Sequence, residues 1–397
     1  MDRKSNYGWV VLVAFTLVAG MSQMLWLNFA PILSVIRDKY QISESMAGNL
    51  LIMIFPLLYV VLSIPAGIWI DRAGYKKVVM IGSIVMAISS IIRIFDDAFM
   101  TIFIGQLGIA IAQPFIMNAI SKLVGDWFKE EQHAMATGIG TVGMFVGMAA
   151  GFALTPMFVE GTNIRSAMII FAVITVISTL AFIFLAREKG DLSDAEEGPT
   201  FELMGLLQNK NLLILSILSF LALGYFNGLT TWLELILSEQ GVGIEDAGLI
   251  GGVLILGGIV GAAIIPAISD KMKKRKPFLI LAIVMGVLLV YPLTTGSHVP
   301  TLLLLGAITG ALFLPGYAIL LTMAEEEVGA RKAGAATGIL MLGGNAGGVV
   351  IIILMDVLKS MQGVWLYSII LLIAVMIIGL AVSFLTKETF DKSALDN

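Results

Sequence analysis

The sequence predicts an all-α, polytopic membrane protein in which twelve transmembrane helices form two parallel six-helix repeats. The 397 residues are 58% hydrophobic and only 13% charged, with a mean hydropathy of +0.97, whereas a soluble domain carries roughly 25% charged residues. Apolar runs of about 20 residues, long enough to cross a bilayer as a helix, recur along the whole chain. Residues of the first half also recur in the second half at a near-constant offset.

The apolar runs indicate helices rather than barrel strands, because they are continuous rather than alternating. A helix also satisfies all of its backbone hydrogen bonds internally, as the lipid interior requires. The predicted spans, numbered 1 to 12 from here on, are 9–34, 46–70, 78–95, 98–124, 135–158, 165–186, 212–237, 247–268, 277–294, 299–323, 333–358 and 363–385.

The distribution of Lys and Arg predicts that both termini are cytoplasmic, because cytoplasmic loops are enriched in these residues. With the N-terminus inside, nineteen of the 24 basic residues fall on the cytoplasmic side and five on the other side. No small-residue cleavage site follows a short apolar core near the N-terminus. The first apolar run is therefore predicted to be a retained transmembrane helix and not a signal peptide. Short loops and a bare N-terminus favour a prokaryotic inner membrane.

The longest break between spans divides the chain six and six. This acidic segment follows Arg187 and contains Gly and Pro. It predicts an N-terminal six-helix bundle over 1–187, a cytoplasmic linker over 188–210 and a C-terminal six-helix bundle over 211–397.

The two halves repeat one another. AMATGI (134–139) recurs as GAATGI (334–339), 200 residues later, and Trp26-Leu27-Asn28 matches Tyr225-Phe226-Asn227 at an offset of 199. Six spans return the chain to its starting side, so the two copies have the same orientation. Parallel repeats of this kind build transporters with a substrate site at the bilayer midplane, at the repeat interface.

Composition also excludes several classes of function. The chain has no Cys, which rules out disulfides and thiolate metal sites. Its two His residues, His133 and His298, fall in predicted loops. No nucleophile–base pair or metal cluster can be assembled, so we expect neither an enzyme nor a cofactor. We expect a monomer that binds a small solute and the lipid bilayer but no nucleic acid.

The loop between spans 2 and 3, GIWIDRAGYKK, resembles the signature loop of the major facilitator superfamily. The matching residues are Gly67, Asp71, Arg72, Gly74, Lys76 and Lys77. The resemblance implies a cytoplasmic gate latch, with Asp71 facing the N-terminus of span 11, where a helix dipole favours a carboxylate. Arg72 would pair across the boundary between the halves when the cytoplasmic side is shut.

A second copy of the loop carries Asp270-Lys271 in place of Asp71-Arg72, but Pro266 stands at the first Gly position. We expect its latch to be weaker. The same resemblance implies that spans 1, 4, 7 and 10 line the substrate path.

Charged residues are scarce within the predicted spans, where they would be functional by default. None lies near the middle of a span; Glu234 is nearest and is the one candidate for proton coupling, while Arg93 lies near an outer end. A carrier of organic anions usually places a cation in its cavity, and the sequence predicts none there.

Amide and aromatic side chains remain as candidate substrate contacts. The candidates are Trp26, Asn28, Gln113, Tyr225, Asn227, Thr231 and Asn345. Asn227, Thr231 and Glu234 recur at helical spacing on span 7. Such a cavity suits a neutral solute, or a quaternary ammonium held over aromatic rings. Trp232 lies close to the outer end of span 7, where a Trp usually anchors at the lipid interface.

Three stretches also resemble the feline leukaemia virus subgroup C receptor-related transporters, a group associated with choline, ethanolamine and haem. They are WLNF (26–29), AQPFIMNAISKLVGDWF (112–128) and the ATGILMLGGN stretch that ends at Asn345. This resemblance implies Trp26, Gln113 and Asn345 as substrate contacts. It departs at Asn227, where the group has Tyr.

We therefore expect a secondary-active or facilitative carrier that moves a small organic solute, such as choline, by alternating access. A multidrug or metabolite efflux carrier and a transporter of small carboxylates remain alternatives, and a non-transporting receptor is a further one. The sequence leaves open the direction of transport and whether H⁺ or Na⁺ is coupled.

Overall fold

The computed structural model describes residues 3–189, 206, 208–329 and 332–390. Within these residues the regular secondary structure is entirely helical, and twelve helical spans are long and apolar enough to cross a membrane. The spans are Tyr7–Tyr40, Glu44–Ala73, Tyr75–Ile92, Phe99–Trp127, Glu131–Gly161, Ile164–Leu185, Lys210–Ser238, Ile244–Met272, Lys276–Thr295, Val299–Val328, Ala333–Gln362 and Leu366–Ser383. Each predicted span is confirmed to within a few residues, and most of the observed helices run longer. The predicted linker over 188–210 lies largely outside the described residues.

Four spans are interrupted, and the interruptions position the candidate site. Span 1 consists of helices Arg3–Leu27 and Leu33–Tyr40 joined by a 3₁₀ turn, Ala30–Ile32. In span 2 a π-helical segment, Asn49–Met53, lies between helices Glu44–Gly48 and Ile54–Ala73. Such segments release backbone carbonyls from the regular ladder and are frequent at functional sites.

Proline accompanies the interruptions of spans 4 and 10. The first part of span 4, Phe99–Met117, ends three residues after Pro114, and Ile120–Trp127 continues it. In span 10, Val299–Phe313 ends just before Pro315, which begins the helix Pro315–Val328. Proline has no N–H to donate and its ring crowds the preceding turn. In span 10 the break lies directly before Pro315, as this effect predicts, whereas in span 4 it follows Pro114, so the two matching prolines accompany breaks at different positions.

The chain divides into two compact units, Met1–Glu197 and Gly198–Asn397. In the first unit spans 1 and 5 lie side by side, and in the second unit spans 7 and 11 do the same. Glycine allows these contacts. A Cβ on Gly147 would lie 2.0 Å from the carbonyl oxygen of Gly20, and a Cβ on Gly347 would lie 1.9 Å from that of Phe220. The faces that carry Gly147 and Gly347 are therefore helix-packing surfaces of small residues.

Large apolar side chains cover the outer faces of the spans. Ile177 is 60% exposed and Phe184 is 77% exposed. Such exposure is unfavourable in water but expected for a face in contact with lipid, and it agrees with the predicted membrane location.

Candidate substrate site and gate residues

A buried polar network surrounds the interruption of span 1. The Arg93 side chain lies at the end of span 3, is 0% exposed and donates through Nη1 to Gln106 Oε1. The same Nη1 lies 3.4 Å from Asn28 Oδ1 and 3.5 Å from the carbonyl oxygen of Leu25. Gln106 Nε2 donates to the carbonyls of Leu25 and Leu51, at 3.1 and 2.8 Å. These bonds join spans 1, 2, 3 and 4 at one level of the bundle.

Two of the predicted residues on span 1 belong to this region. Asn28 is fully buried and accepts from Arg93, while its Nδ2 has no hydrogen-bond partner among the described residues. Trp26 is also buried; its Nε1 donates to the carbonyl of Ile52 at 3.3 Å, and its ring stacks on Phe55 at 6.2 Å between centroids. Ile52 lies in the π-helical segment. The indole N–H of Trp26 therefore bonds to the protein backbone, so a solute would contact Trp26 through the face of its aromatic ring.

Gln113 lies on span 4, seven residues after Gln106, a spacing that places both amides on one face of the helix. Its side chain is 4% exposed, and Nε2 has no partner within the described part of the chain. Gln106 is fully bonded, so the two amides differ in role. Gln106 holds the span 1 interruption together, while Gln113 retains a free donor.

The predicted polar stripe on span 7 is buried. The side chains of Asn227 and Thr231 are each only 1% exposed. Asn227 Nδ2, Asn227 Oδ1 and the Thr231 hydroxyl nevertheless have no hydrogen-bond partner among the described residues. A Cβ on Gly348 would lie 2.2 Å from Asn227 Nδ2, so Gly348 makes room for the amide. Glu234, the predicted coupling residue, is also buried and makes a polar or electrostatic contact of its own.

The aromatic residues beside this stripe pack into the second unit. Tyr225 is fully buried, donates to the carbonyl of Gly286 at 3.1 Å and contacts the ring of Phe313 at 4.8 Å. The expectation that Trp232 anchors span 7 at the lipid interface is wrong. Its side chain is fully buried, its Nε1 donates to the carbonyl of Ile352 and its ring lies 5.2 Å from that of Trp365. Distance from a span end does not reveal which helix face a side chain occupies.

Asn345 differs from the other amides. It is half-buried on span 11, and its Nδ2 donates to the carbonyl of Met341, one turn earlier, at 2.9 Å. A bond to the same helix is local and leaves the amide oxygen available. The structure therefore brings Asn227, Thr231, Tyr225 and Asn345 into the second unit, and Trp26, Asn28 and Gln113 into the first.

The gate residues are mostly exposed at the junction of spans 2 and 3. Asp71, Arg72 and Lys77 are exposed, while Gly67 and Lys76 are half-buried. Gly74 is buried with φ of +81°, and a Cβ there would lie 2.5 Å from Glu188 Oε1. Glycine at this position is thus required both by the backbone and by the approaching carboxylate. The contact of Asp71 with span 11 stays a prediction.

Glu188 anchors the first gate loop from the end of span 6. Its Oε2 accepts from the backbone N–H of Lys76, at 3.2 Å, at the start of the span 3 helix. A carboxylate at this position binds unpaired N–H groups and complements the helix dipole. Burial raises the pKa of the Glu188 carboxyl, and hydrogen bonding to Lys76 opposes this shift.

The second gate loop has an equivalent anchor. Glu388, 200 residues after Glu188, accepts from the backbone N–H groups of Arg275 and Lys276, at 2.8 and 3.1 Å. Arg275 also forms ion pairs with Asp270, at 2.5 Å, and with Glu326, at 2.8 Å. Asp270 is therefore held within its own loop, while Lys271 is exposed.

These capping carboxylates contact the gate loops but lie outside the signature motif, so the motif alone does not identify them. Glu188 and Glu388, like Asp126 and Glu326, recur at an offset of 200. The signal is therefore the internal repeat, extended past the spans into the segments that follow spans 6 and 12.

Replacing Glu388 by Gln is expected to lower the free energy of unfolding by about 0.5–2 kcal/mol, the usual effect of losing a helix N-cap. The measurement is the thermal unfolding midpoint of the purified protein in detergent. Glu188→Gln should shift the midpoint in the same direction. Glu245→Gln, an exposed acid in the first turn of span 8, is the matched control. A midpoint for Glu388→Gln equal to that of the control would contradict the capping role.

Comparisons with known proteins agree with this architecture. The family model described as Major Facilitator Superfamily matches residues 15–352. The chain resembles the crystal structure of a bacterial homologue of the human lysosomal transporter Spinster, captured inward-facing and unoccupied, with a TM-score of 0.75. That match covers 100% of this chain and 99% of the other at 16% identity. At this identity the likeness shows the fold alone.

Relatives of similar sequence include named transporters. The choline/ethanolamine transporter flvcr2b of Danio rerio is 23% identical, covering 97% of this chain and 86% of the relative. The choline/ethanolamine transporter FLVCR2 of Homo sapiens is 24% identical, covering 87% of this chain and 71% of the relative. An uncharacterised protein of Archaeoglobus fulgidus is 32% identical over 201 residues, 51% of this chain. These matches support the closer of the two resemblances. The family model spans most of the chain, and the chain therefore belongs to the Major Facilitator Superfamily of transporters.

Proposed function

We propose that this transporter moves a small amine alcohol of the choline or ethanolamine class. Two observations support the proposal. Relatives that cover nearly the whole chain are named for these solutes. The described spans also contain buried amide and hydroxyl groups without protein partners, in Gln113, Asn227 and Thr231.

The strongest structural support for this solute class is the set of unpartnered polar groups on span 7. A buried polar atom left without a hydrogen bond costs about 1–3 kcal/mol, so native proteins leave few of them. Asn227 and Thr231 retain three such atoms within one turn of a helix. A solute with a hydroxyl or amine would satisfy them. Considered by itself, the first unit offers the aromatic ring of Trp26, which is suited to an alkylated ammonium, and a cation–π contact of this kind contributes about 0.5–2 kcal/mol.

The transport cycle that we propose is alternating access. The signature-loop residues Asp71 and Arg72 would latch the cytoplasmic side, and Glu234 would titrate if H⁺ is the coupling ion. The distribution of Lys and Arg supports cytoplasmic termini, and the short loops favour a prokaryotic inner membrane. The carrier would work as a monomer.

Thr231 and Thr230 offer a matched test of the site, because both side chains are 1% exposed but only Thr230 is bonded. Its Oγ1 donates to the carbonyl of Phe226 at 2.7 Å. We expect Thr231→Val to reduce choline uptake into proteoliposomes at least tenfold, and to remove the choline-dependent rise of the unfolding midpoint. Thr230→Val should keep both within twofold. Equal losses in the two variants, or none in either, would contradict the assignment.

A further inference from the structure

The Arg93 guanidinium is only half-satisfied. Nη1 carries all of its hydrogen bonds, to Gln106, Asn28 and the carbonyl of Leu25. Nε and Nη2 have no partner among the described residues, although the side chain is 0% exposed. These two nitrogens form one edge of the guanidinium plane. The free groups are therefore a pair of parallel N–H donors, not two scattered ones.

Within the described ranges, no carboxylate forms an ion pair with this buried charge. Arg93 is absent from the seven ion pairs formed within the described part of the chain. Asp96, three residues later, pairs instead with Lys39. Arginine does not lose its proton in proteins, so the positive charge stays. Burying this charge is energetically unfavourable. The ring of Phe29, whose centroid lies 4.9 Å from the guanidinium carbon, offsets part of that cost, as do the amide and carbonyl oxygens bonded to Nη1.

The fold itself does not require arginine at this position. At the repeat offset of 200 the second unit has Leu293, which is fully buried at the end of span 9. In the first unit Gly105 provides the space that the arginine needs, since a Cβ there would lie 2.4 Å from Arg93 Cγ. A cation thus replaces an apolar side chain in one half only, while the glycine beside it is present in both halves, as Gly105 and Gly306.

We propose that the Nε–Nη2 edge of Arg93, together with Nδ2 of Asn28, binds a carboxylate group. The two parallel donors match the two oxygens of a carboxylate, the geometry for which arginine is preferred over lysine. Asn28 Nδ2 is a third buried donor without a partner. The interruption of span 1 at Asn28 and the π-helical segment of span 2 border the site, and movement of these segments would admit the ligand. The site goes beyond the proposed function, because an amine alcohol has no carboxylate.

The carboxylate has two possible sources, and binding measurements distinguish them. It either belongs to a zwitterionic solute or arrives as a separate anion. The full chain is purified in detergent, and its unfolding midpoint is measured against glycine betaine, potassium acetate, choline chloride and potassium chloride at constant ionic strength. A shift with betaine alone indicates a zwitterion, and a shift with acetate as well indicates a carboxylate independent of the amine.

The wild-type midpoint is expected to rise with the concentration of at least one carboxylate ligand. Arg93→Lys, which keeps the charge but loses the paired donors, should weaken the apparent affinity at least tenfold, and Arg93→Leu should abolish the response. Asn28→Asp, which supplies an internal carboxylate, should raise the midpoint without ligand and remove the response. This variant and Arg93→Lys keep the test valid if Arg93→Leu does not fold.

Three results would overturn the proposal: no rise with any carboxylate, a rise equal to that produced by chloride, or a rise that persists in Arg93→Leu. The response of the wild-type protein to choline is recorded in the same experiment. A wild-type protein that responds to choline but to no carboxylate would refute the carboxylate site and leave the proposed function standing.

Discussion

Replacing Gly347 by Ala is expected to destabilise the protein strongly, because the added methyl group would meet backbone and not a flexible side chain. The new Cβ would lie 1.9 Å from the carbonyl oxygen of Phe220 and 2.7 Å from its carbon. Spans 7 and 11 must then move apart along their whole contact. Overpacking commonly costs about 1–3 kcal/mol, and we expect the upper end of this range or more. The measurement is the thermal unfolding midpoint in detergent.

Gly338 is the matched control on the same helix. A Cβ there would meet nothing within 4 Å, so Gly338→Ala should leave the midpoint unchanged or raise it, since Ala favours a helix over Gly by about 1 kcal/mol. The first unit offers the same comparison in Gly147→Ala and Gly138→Ala. A Gly347→Ala protein as stable as Gly338→Ala would show that spans 7 and 11 are not packed as described.

Replacing Asn227 by Leu is expected to abolish choline uptake while leaving the folded protein as stable as the wild type or more so. The Asn227 amide is buried without a hydrogen bond to the described residues. An apolar side chain of similar size removes that unpaired group at no cost in bonding. We expect uptake into proteoliposomes, normalised to folded protein, to fall at least tenfold.

Asn118 provides the contrast that separates a ligand-binding amide from a structural one. Its Oδ1 accepts from Tyr59 at 2.7 Å, and its Nδ2 donates to the backbone and side chain of Ser63, at 3.0 and 2.9 Å. Asn118→Leu should therefore lower the unfolding midpoint. If Asn227→Leu destabilises the protein as much as Asn118→Leu and transports normally per folded molecule, the amide is structural and the proposed site is wrong.

The architecture follows from sequence because the bilayer imposes simple constraints. A span must be apolar for about 20 residues, and each span must be a helix. Hydropathy alone therefore predicts all twelve helices, and a repeat offset near 200 relates matching residues of the two halves, such as Pro114 and Pro315. The interruption of span 1 also carries a proline, Pro31, whereas the π-helical segment of span 2, Asn49–Met53, contains neither Pro nor Gly and has no comparable sequence signal.

The chemistry of individual side chains was less accessible from sequence, since it depends on which partners the packing supplies. Gln106 and Gln113 have the same spacing pattern, yet only Gln106 is fully bonded. Trp232 faces Trp365 and not the lipid interface. The sequence places Arg93 near the end of span 3, as the structure does, but does not reveal that its side chain is fully buried. Its position at the end of span 3 hides the fact that the guanidinium folds back among spans 1, 2 and 4.

Counterflow in reconstituted proteoliposomes tests the central claim most directly. Vesicles loaded with unlabelled choline or ethanolamine are diluted into a trace of the same labelled solute. A carrier with alternating access accumulates label transiently above its equilibrium level, and the account predicts this overshoot for the wild-type protein and its loss in Thr231→Val. Uptake indistinguishable from that of empty liposomes, for choline and ethanolamine alike, would contradict the proposed solute class.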